Sequence, residues 1–476
     1  MNDKRYDIII IGGGLSGLLT GVILSGKGLN ICVLEKNKKI GGTIQPFKRK
    51  GYFFETGMHF FGAASKGQIQ FEFFKIAGIM DELKIRYNRK GFLVHINEKE
   101  YSIPIGFEAY EKKLIEYFPS ESTGIKIYMN KLNDIIGNLT IESIYSFDEK
   151  LQNMETGADE FISSITKNND LKKLLKFNEI LYYGKSGQCS LYLHALITGS
   201  FLLSTAEFEE GTKDFIGILE SKIKKNKSAV KTSKKVISFE TESKKIISCT
   251  TNDGGIYYAD KFIFSGHPSL LLESKGLNII HPILGKRIKT LQNSPGAFSI
   301  YIIFKKNTFK YLEAPIFFSI PHSQGNDFLI HTPKSNSRDA FAGTLKIMTL
   351  MNINEIPGYS DNEDFKRGKE YRNFKIKKSE EIFDVIEKRY IGFKESIERY
   401  YTSTPLTIKE YTGSADGSAY GIVHDYKNFL YSAIPIKTKF ENFFLTGQNI
   451  NFHGMTGVSI TTLLTCSTIL NHKIIQ

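Results

Sequence analysis

YDIIIIGGGLSGLLTGVILSGKGLNICVLEK, Tyr6 to Lys36, is the stretch whose reading decides the fold. Asp7 to Ile11 is a β-branched run suited to a strand buried on both faces, and it stops at Gly12, Gly13 and Gly14. Leu15 to Ser25 repeats Leu and Val at helical spacing, and Ile31 to Leu34 is a second buried strand closed by Glu35. The pattern predicts a βαβ unit with its glycines at the first turn. Gly12 permits the tight turn, Gly14 lets a pyrophosphate approach the backbone, and Gly17 lets helix and strand pack closely. Leu15 and Ser16 then open a helix whose unpaired N–H groups face the phosphates. Glu35, with Lys36 beside it, stands where a carboxylate accepts hydrogen bonds from ribose hydroxyls. An acid at this place favours an adenosine with a free 2′-hydroxyl and repels a 2′-phosphate. The alternative is an ordinary tight βα turn, and the order strand, turn, helix, strand, acid argues against it.

Length and composition bound the class. The 476 residues allow two or three domains, and 41% apolar with 24% charged residues is the balance of a soluble globular protein. The nearest approach to a membrane-spanning run, Cys189 to Ser204, is short and carries His194 and a glycine. The chain passes from Met1 almost directly into the first strand, so no signal peptide is expected. Four scattered cysteines without metal-ligand spacing point to reduced thiols in a cytoplasm and to no metal site. Much of the net charge of +13 lies in Lys222 to Lys245, which reads as the solvated face of a helix and a hairpin. No nucleic-acid module is visible, so no nucleic-acid partner is expected.

Further along, Gly41, Gly42 and Thr43 mark a place where backbone can lie against a cofactor. Tyr52 to Phe54 is a short strand, followed by Glu55, Gly57, Met58 and His59 in a loop. From Lys66 to Glu220 the texture turns helical, with amphipathic segments at Ile69 to Ala77, Glu108 to Phe118, Gly124 to Ile136, Asp159 to Ile165 and Leu171 to Tyr182, and a strand pair near Leu93 to Ile103. Alternating α/β texture returns with a helix at Asp214 to Lys225, a hairpin at Lys234 to Glu240 and Lys244 to Thr250, and a strand at Ile256 to Phe264. Val236 opens a strand whose backbone could reach an adenine. Strand-like runs at Ala297 to Phe304 and Ala314 to Ile320 precede a loop-rich part with Pro321, Pro333 and Pro357, and Lys366 to Lys394 reads as a charged helix. The chain closes with a strand at Phe443 to Leu445, a turn containing Gly447 and His453, and a terminal helix from Gly457 and Val458.

Taken in order, these parts resemble the FAD-dependent superfamily of amine oxidases and phytoene desaturases, and within it the carotenoid isomerase and retinol saturase branch. The carrying residues are Gly12, Gly14 and Gly17 with Glu35, then Gly41 and Gly42, the Glu55 to His59 loop, Ala259 and Asp260 before Gly266-His267-Pro268, the TPLT run at Thr404, the GSAYG run ending at Gly421, and LTGQN at Leu445. Two departures stand out. Glu210-Gly211-Thr212 occupies a place where relatives often have a glycine pair, and His453 occupies one where desaturases usually show Pro and Gly. Both favour the saturase or isomerase branch.

The resemblance implies a Rossmann-type FAD-binding domain of the two-dinucleotide-binding kind, amine oxidase-like, with a discontinuous α+β substrate domain. The FAD-binding domain would comprise 1–65, 211–285 and 430–476, and the substrate domain with its helical insert 66–210 and 286–429. Noncovalent FAD would rest its pyrophosphate on the first turn, its ribose on Glu35 and its middle on Gly42 and Thr43. Gly57, Met58 and His59 would pass the isoalloxazine and Val236 the adenine. Gly447 would lie near the ribityl chain, and Gly457 and Val458 would bring a helix N-terminus to the flavin. Reducing a double bond needs a proton donor near the flavin. His453 and His59 are the first candidates and Tyr420 the third, a packing role being the stronger reading for the tyrosine. The implied activity is oxidoreduction of carbon–carbon double bonds in a polyene or isoprenoid-like lipophilic substrate. A flavin amine oxidase and a non-catalytic chaperone of the prenyl-GTPase-binding type are the alternatives. A lipid-soluble substrate also implies peripheral membrane contact of an otherwise cytoplasmic protein. Phe71, Phe73, Phe74 and Leu191 to Leu203 are the candidate surfaces, with burial in the core as the competing reading.

Overall fold

The structure, a computed structural model, describes residues 5–137, 139–145, 154–183, 187–272, 279–319, 327–333, 340–360, 365 and 367–474. Pro321 and the first residue of the run from Lys366 lie outside them.

β1 (Arg5–Ile11), α1 (Leu15–Gly26) and β2 (Ile31–Leu34) form the expected βαβ unit, with β1 and β2 parallel. They belong to a seven-stranded sheet. β1 lies between β2 and Ile256–Phe264, and Ala229–Lys231 adds to the far side of β2, all parallel. The far edge of Ile256–Phe264 is shared. Its first half pairs antiparallel with the hairpin strand Lys245–Thr251, and its last residues pair parallel with Phe443–Leu445. The run of four isoleucines in β1 is explained by burial on both faces: Ile8 and Ile10 join one apolar cluster, Ile9 and Ile11 another. α1 is apolar all round because it is covered all round, packing against both the C-terminal helix Gly454–Leu470 and the helix Gly211–Lys225.

A second seven-stranded sheet runs Ile397–Ser403, Gly296–Phe304, Thr344–Met351, Phe328–His331, Ile316–Ser319, Phe92–Ile96, Lys99–Ile103. It is antiparallel except where Ile316–Ser319 meets Phe92–Ile96. Helices Phe107–Tyr117, Ser122–Gly137, Ala158–Ile165, Asn169–Leu175 and Leu191–Leu203 share one apolar cluster with strands of this sheet. A three-stranded sheet of Phe61–Gly62, Thr205–Phe208 and Ile85–Tyr87 links the two regions.

Two expectations change. Phe73 and Phe74 are fully buried, and nearly every residue of Leu191–Leu203 is buried, so these side chains are core and not a membrane-facing surface. The helix carries apolar residues on all sides because protein surrounds it, which hydropathy alone does not distinguish from a lipid face. The terminal helix also begins at Gly454, three residues before Gly457, with His453 as its N-cap. The lysines between Lys222 and Lys245 decorate the outer face of a helix whose Phe215, Ile216, Leu219 and Ile223 are buried, and an exposed hairpin strand.

Candidate functional site

The parallel strands β1, β2, Ile256–Phe264 and Phe443–Leu445 all deliver their carboxyl ends to one edge of the sheet, where ligands of open α/β sheets bind. Four loops meet there. The first glycine turn follows β1, and Ser265 donates from its Oγ to the carbonyls of Ile11 and Gly12 at 3.2 and 3.0 Å. A Cβ on Gly17 would fall 2.0 Å from the Gly12 carbonyl oxygen, so helix and turn touch backbone to backbone as the spacing implied. The N-terminus of α1 has Gly14 as its N-cap, no side-chain cap and no acid in its first turn. Its first N–H groups are left for a ligand with anionic oxygens.

The glycine pair after β2 closes on this turn. Gly41 donates its N–H to the Gly13 carbonyl at 2.7 Å, and Gly14 and Gly41 form a parallel bridge. Gly42 has φ of +56°, and a Cβ there would lie 3.1 Å from the Gly14 Cα. Gly447 stands over the helix start, its Cβ position 3.0 Å from Ser16 Oγ. Gly12, Gly14, Gly42 and Gly447 thus line a cradle of bare backbone at the sheet edge, which side chains would fill.

Glu35 is buried, with Oε2 accepting from the Gly13 N–H at 2.7 Å and Oε1 from the Asn37 N–H at 2.8 Å. The carboxylate therefore pins the glycine turn itself, while each oxygen keeps a lone pair for a further donor. Lys36 directs Nζ to the Glu410 carbonyl at 3.5 Å, and burial lowers its pKa. Ser233 and Lys234 donate their N–H groups to the carbonyls of Asn37 and Glu35, which brings the half-buried Val236 to the same end of the cradle.

The 55–59 loop is tied to Thr43. Thr56 Oγ1 donates to the Thr43 carbonyl at 2.6 Å, and a Cβ on Gly57 would fall 2.3 Å from that oxygen. Glu55 accepts from the Thr212 N–H at 3.0 Å and from its hydroxyl, placing a carboxylate at the N-terminus of Gly211–Lys225. The Glu210-Gly211-Thr212 departure is thereby explained: a Cβ on Gly211 would meet Glu55 Oε1 at 2.4 Å. Met58 and His59 follow, both half-buried.

The loop faces a residue that sequence reasoning missed. Lys346, on Thr344–Met351, is buried and donates its ammonium to the Thr56 carbonyl. His331 is its direct cross-strand partner. The His59 and His331 rings lie 5.8 Å apart, and His331 Nε2 is 3.7 Å from Glu207, which Arg86 holds at 2.9 and 3.0 Å. Burial lowers Lys346 to about 7, against the pull of Glu55. Burial, with Lys346 adding to it, also holds His59 and His331 below the usual histidine range, and burial raises Glu55. His59 Nε2 is buried without a hydrogen-bond partner. A signal for Lys346 was present in TLKIMTLM, where one lysine interrupts an apolar strand buried on both faces.

His453 and Tyr420 come together elsewhere. Their ring centroids are 4.8 Å apart, and with His424 they line a small cavity of about 20 Å³, room for one water. Tyr420 spends its hydroxyl on the Ile180 carbonyl at 2.8 Å, which supports its packing role. Burial, then His424, pushes His453 down to about 3, and its Nε2 is buried without a partner. Among the described residues no ring contact or hydrogen bond joins His59 to either. Gly457 packs on the Phe452 backbone and Val458 is buried, so the helix start is rigidly placed.

Parallel strands with a glycine cradle at their carboxyl ends define a Rossmann-like dinucleotide-binding unit, beside a second sheet that carries a buried lysine. The model of the NAD(P)-binding Rossmann-like domain matches residues 10–76. All-trans-retinol 13,14-reductase of Danio rerio is 23% identical over 99% of this chain and 87% of its own length. Prolycopene isomerase 2 of an Oncidium hybrid cultivar is 29% identical over 31% of this chain and 26% of its own. Among solved structures, a triple mutant of putrescine oxidase superposes with a TM-score of 0.69 at 14% identity, covering 98% of this chain and 99% of that one. These likenesses support the resemblance to the FAD-dependent amine oxidase and phytoene desaturase superfamily and, within it, to the retinol saturase-like branch.

Proposed function

We propose that the protein holds FAD noncovalently and reduces, or otherwise rearranges electrons across, carbon–carbon double bonds of a polyene or isoprenoid-like substrate. The observation that carries this reading is the cradle of Gly12, Gly14, Gly42 and Gly447 on a chain alike over nearly its whole length to retinol reductases. The α1 N-terminus would take the pyrophosphate and Glu35 the ribose, with Leu15, Ser16, Lys36 and Thr43 along the cofactor and Val236 at the adenine. Gly57, Met58, Gly457 and Val458 would border the ring. Bound flavin supplies the hydride or electrons.

The chain's own task is the proton. Lys346, lowered to about 7, can hold and release one near neutral pH, which the neutral His453 and the engaged Tyr420 cannot do as readily. His331, Glu207 and Arg86 lead outward from it to side chains about one-fifth exposed, a route by which solvent can restore the proton. His59, with its free Nε2, stands beside this route. A titratable donor of this kind favours reduction over isomerisation, which returns its electrons without net proton uptake.

The test is anaerobic reduction of the yellow holoprotein in deuterated buffer, followed by addition of polyenes, retinoids and amines in turn. Reoxidation by a polyene with solvent deuterium fixed at both carbons of the saturated bond is expected. Reoxidation only by amines, or a purified protein without flavin absorbance, overturns the reading.

A further inference from the structure

Large apolar side chains stand exposed together at one place on the surface. Ile283 is 74% exposed on the helix Pro282–Thr290, and Leu430 and Tyr431 are 59% and 49% exposed on the short helix Phe429–Ser432. The two elements are joined: Thr290 Oγ1 and Tyr431 Oη lie 2.9 Å apart, and Arg287 donates to the Ala433 carbonyl at 2.7 Å. Ile283 and Leu284 also wall an open groove of about 400 Å³, with Pro435 and Lys437 on its other side. Segments 281–290 and 429–440 carry Lys286, Arg287, Lys289, Lys437 and Lys439 and no acidic residue. None of these five cations forms an ion pair among the described residues, and the four lysines are exposed. Apolar tips that project among unpaired lysines match the interface of an anionic bilayer, where the tips enter the acyl boundary and the ammonium groups meet lipid phosphates.

The position of this face adds direction. Ser432, on the inner side of the Phe429–Ser432 turn, lies 3.2 Å from His424 Nδ1, and His424 borders the cavity shared by Tyr420 and His453. One thin element therefore separates the exposed face from the His453 side of the molecule.

We propose that this face docks the protein on an anionic phospholipid bilayer, with Ile283, Leu430 and Tyr431 inserted and the four exposed lysines around them on lipid headgroups. The docking rests on exposure and charge alone. The further step, that a lipophilic substrate enters from the bilayer past residues 429–432, rests on the function proposed above.

The test is flotation of the full holoprotein with vesicles of phosphatidylcholine alone and with vesicles of equal parts phosphatidylcholine and phosphatidylserine, at low and high salt. Flotation with the anionic vesicles, lost at high salt, is expected. The paired variant Lys437→Glu with Lys439→Glu should lower the partition coefficient on the order of 10²-fold. Ile283→Ser with Leu430→Ser should lower it by on the order of 10-fold or more. These side chains are exposed, so the variants should keep their melting temperature and bound flavin; Lys286→Glu with Lys289→Glu serves as an independent pair. No flotation with anionic vesicles, flotation unchanged in all the variants, or a dimer that the same substitutions dissolve without any lipid binding overturns the docking face. Binding that behaves as expected in a protein that turns over no polyene would leave the docking face standing and remove the substrate route.

Discussion

His331 and Lys346 face each other directly across the antiparallel strands Phe328–His331 and Thr344–Met351. Two groups that can both be cationic, placed opposite each other and buried, destabilise a strand pair. The fold tolerates them beside Glu207 and Glu55, and burial leaves the lysine lowered to about 7 in spite of Glu55.

Replacing Lys346 should therefore separate stability from turnover. Folding lowers this pKa from 10.5 to about 7, so between those values the unfolded chain binds more protons than the folded one. Stability then rises with pH across that window, and the burden is greatest below pH 7. Lys346→Met should raise neutral-pH stability by about 1–4 kcal/mol and flatten that slope in urea melts. Its turnover should fall on the order of 10²–10⁴-fold, with loss of the rate limb that declines as pH rises through the lysine's pKa. A variant with unchanged rate and pH profile would remove Lys346 as proton source and return attention to His59.

Glu35 holds two backbone N–H groups as well as the expected ribose, so Glu35→Ala should weaken both cofactor and turn. FAD affinity should drop by about 1.5–3 kcal/mol for each charge-assisted bond lost. Excess FAD should restore most activity, while the apoprotein should melt lower than the parent apoprotein because Gly13 and Asn37 lose their acceptor. Equal apoprotein melting temperatures would show that the turn holds without the carboxylate.

The flavin should come away intact. Burial pushes the thiol of Cys249 up to about 12 and raises those of Cys189 and Cys466, and a protonated thiol is a poor nucleophile toward a flavin. Acid precipitation should leave the yellow colour in the supernatant; colour retained in the pellet would reveal a covalent bond.

The nucleotide-binding half was legible because its chemistry is local. The strand Asp7–Ile11, the glycines after it and Glu35 lie within one βαβ unit, and period, turn residues and acid all agree. The strand Ile256–Phe264 and most helices of the insert follow their periodicity to within a few residues, but the segment expected from Leu171 to Tyr182 leaves the α-helix at Leu175 and resumes only as a short 3-10 turn at Glu179–Leu181. The proton-handling cluster was not legible in the same way. Lys346, His331, Glu207 and Glu55 come from four separated segments, and only strand register brings them together. Hydropathy also misjudged Phe73, Phe74 and Leu191–Leu203, since a helix enclosed by protein and one facing lipid carry the same residues. The exposed Ile283 and Leu430 sit among apolar neighbours in sequence, Ile279, Ile280, Phe429 and Ile434, that are buried, so only tertiary packing tells the exposed ones apart.

His453 provides the last expectation. At the N-cap of the terminal helix it was the first candidate donor, yet its ring is buried against Tyr420 and held neutral, down to about 3, so at neutral pH it carries no imidazolium proton to give. His424, down to about 4, and His194, down to about 3 between the hydroxyls of Tyr128 and Tyr182, are likewise neutral. Each has a folded pKa below the ordinary 6.5, so the unfolded chain takes up the extra proton as pH falls. Stability is fully present above 6.5 and is lost down toward the folded values, by about 1.4 kcal/mol per histidine and pH unit. His453→Phe should keep its flavin, turn over within about 10-fold of the parent, and gain about 2 kcal/mol relative to it when both are compared at pH 5 rather than pH 7. Urea titrations at the two pH values, run beside steady-state rates, read all three. A loss of turnover as large as that of Lys346→Met would make the neutral imidazole N–H a donor after all, acting through the one-water cavity it shares with Tyr420 and His424.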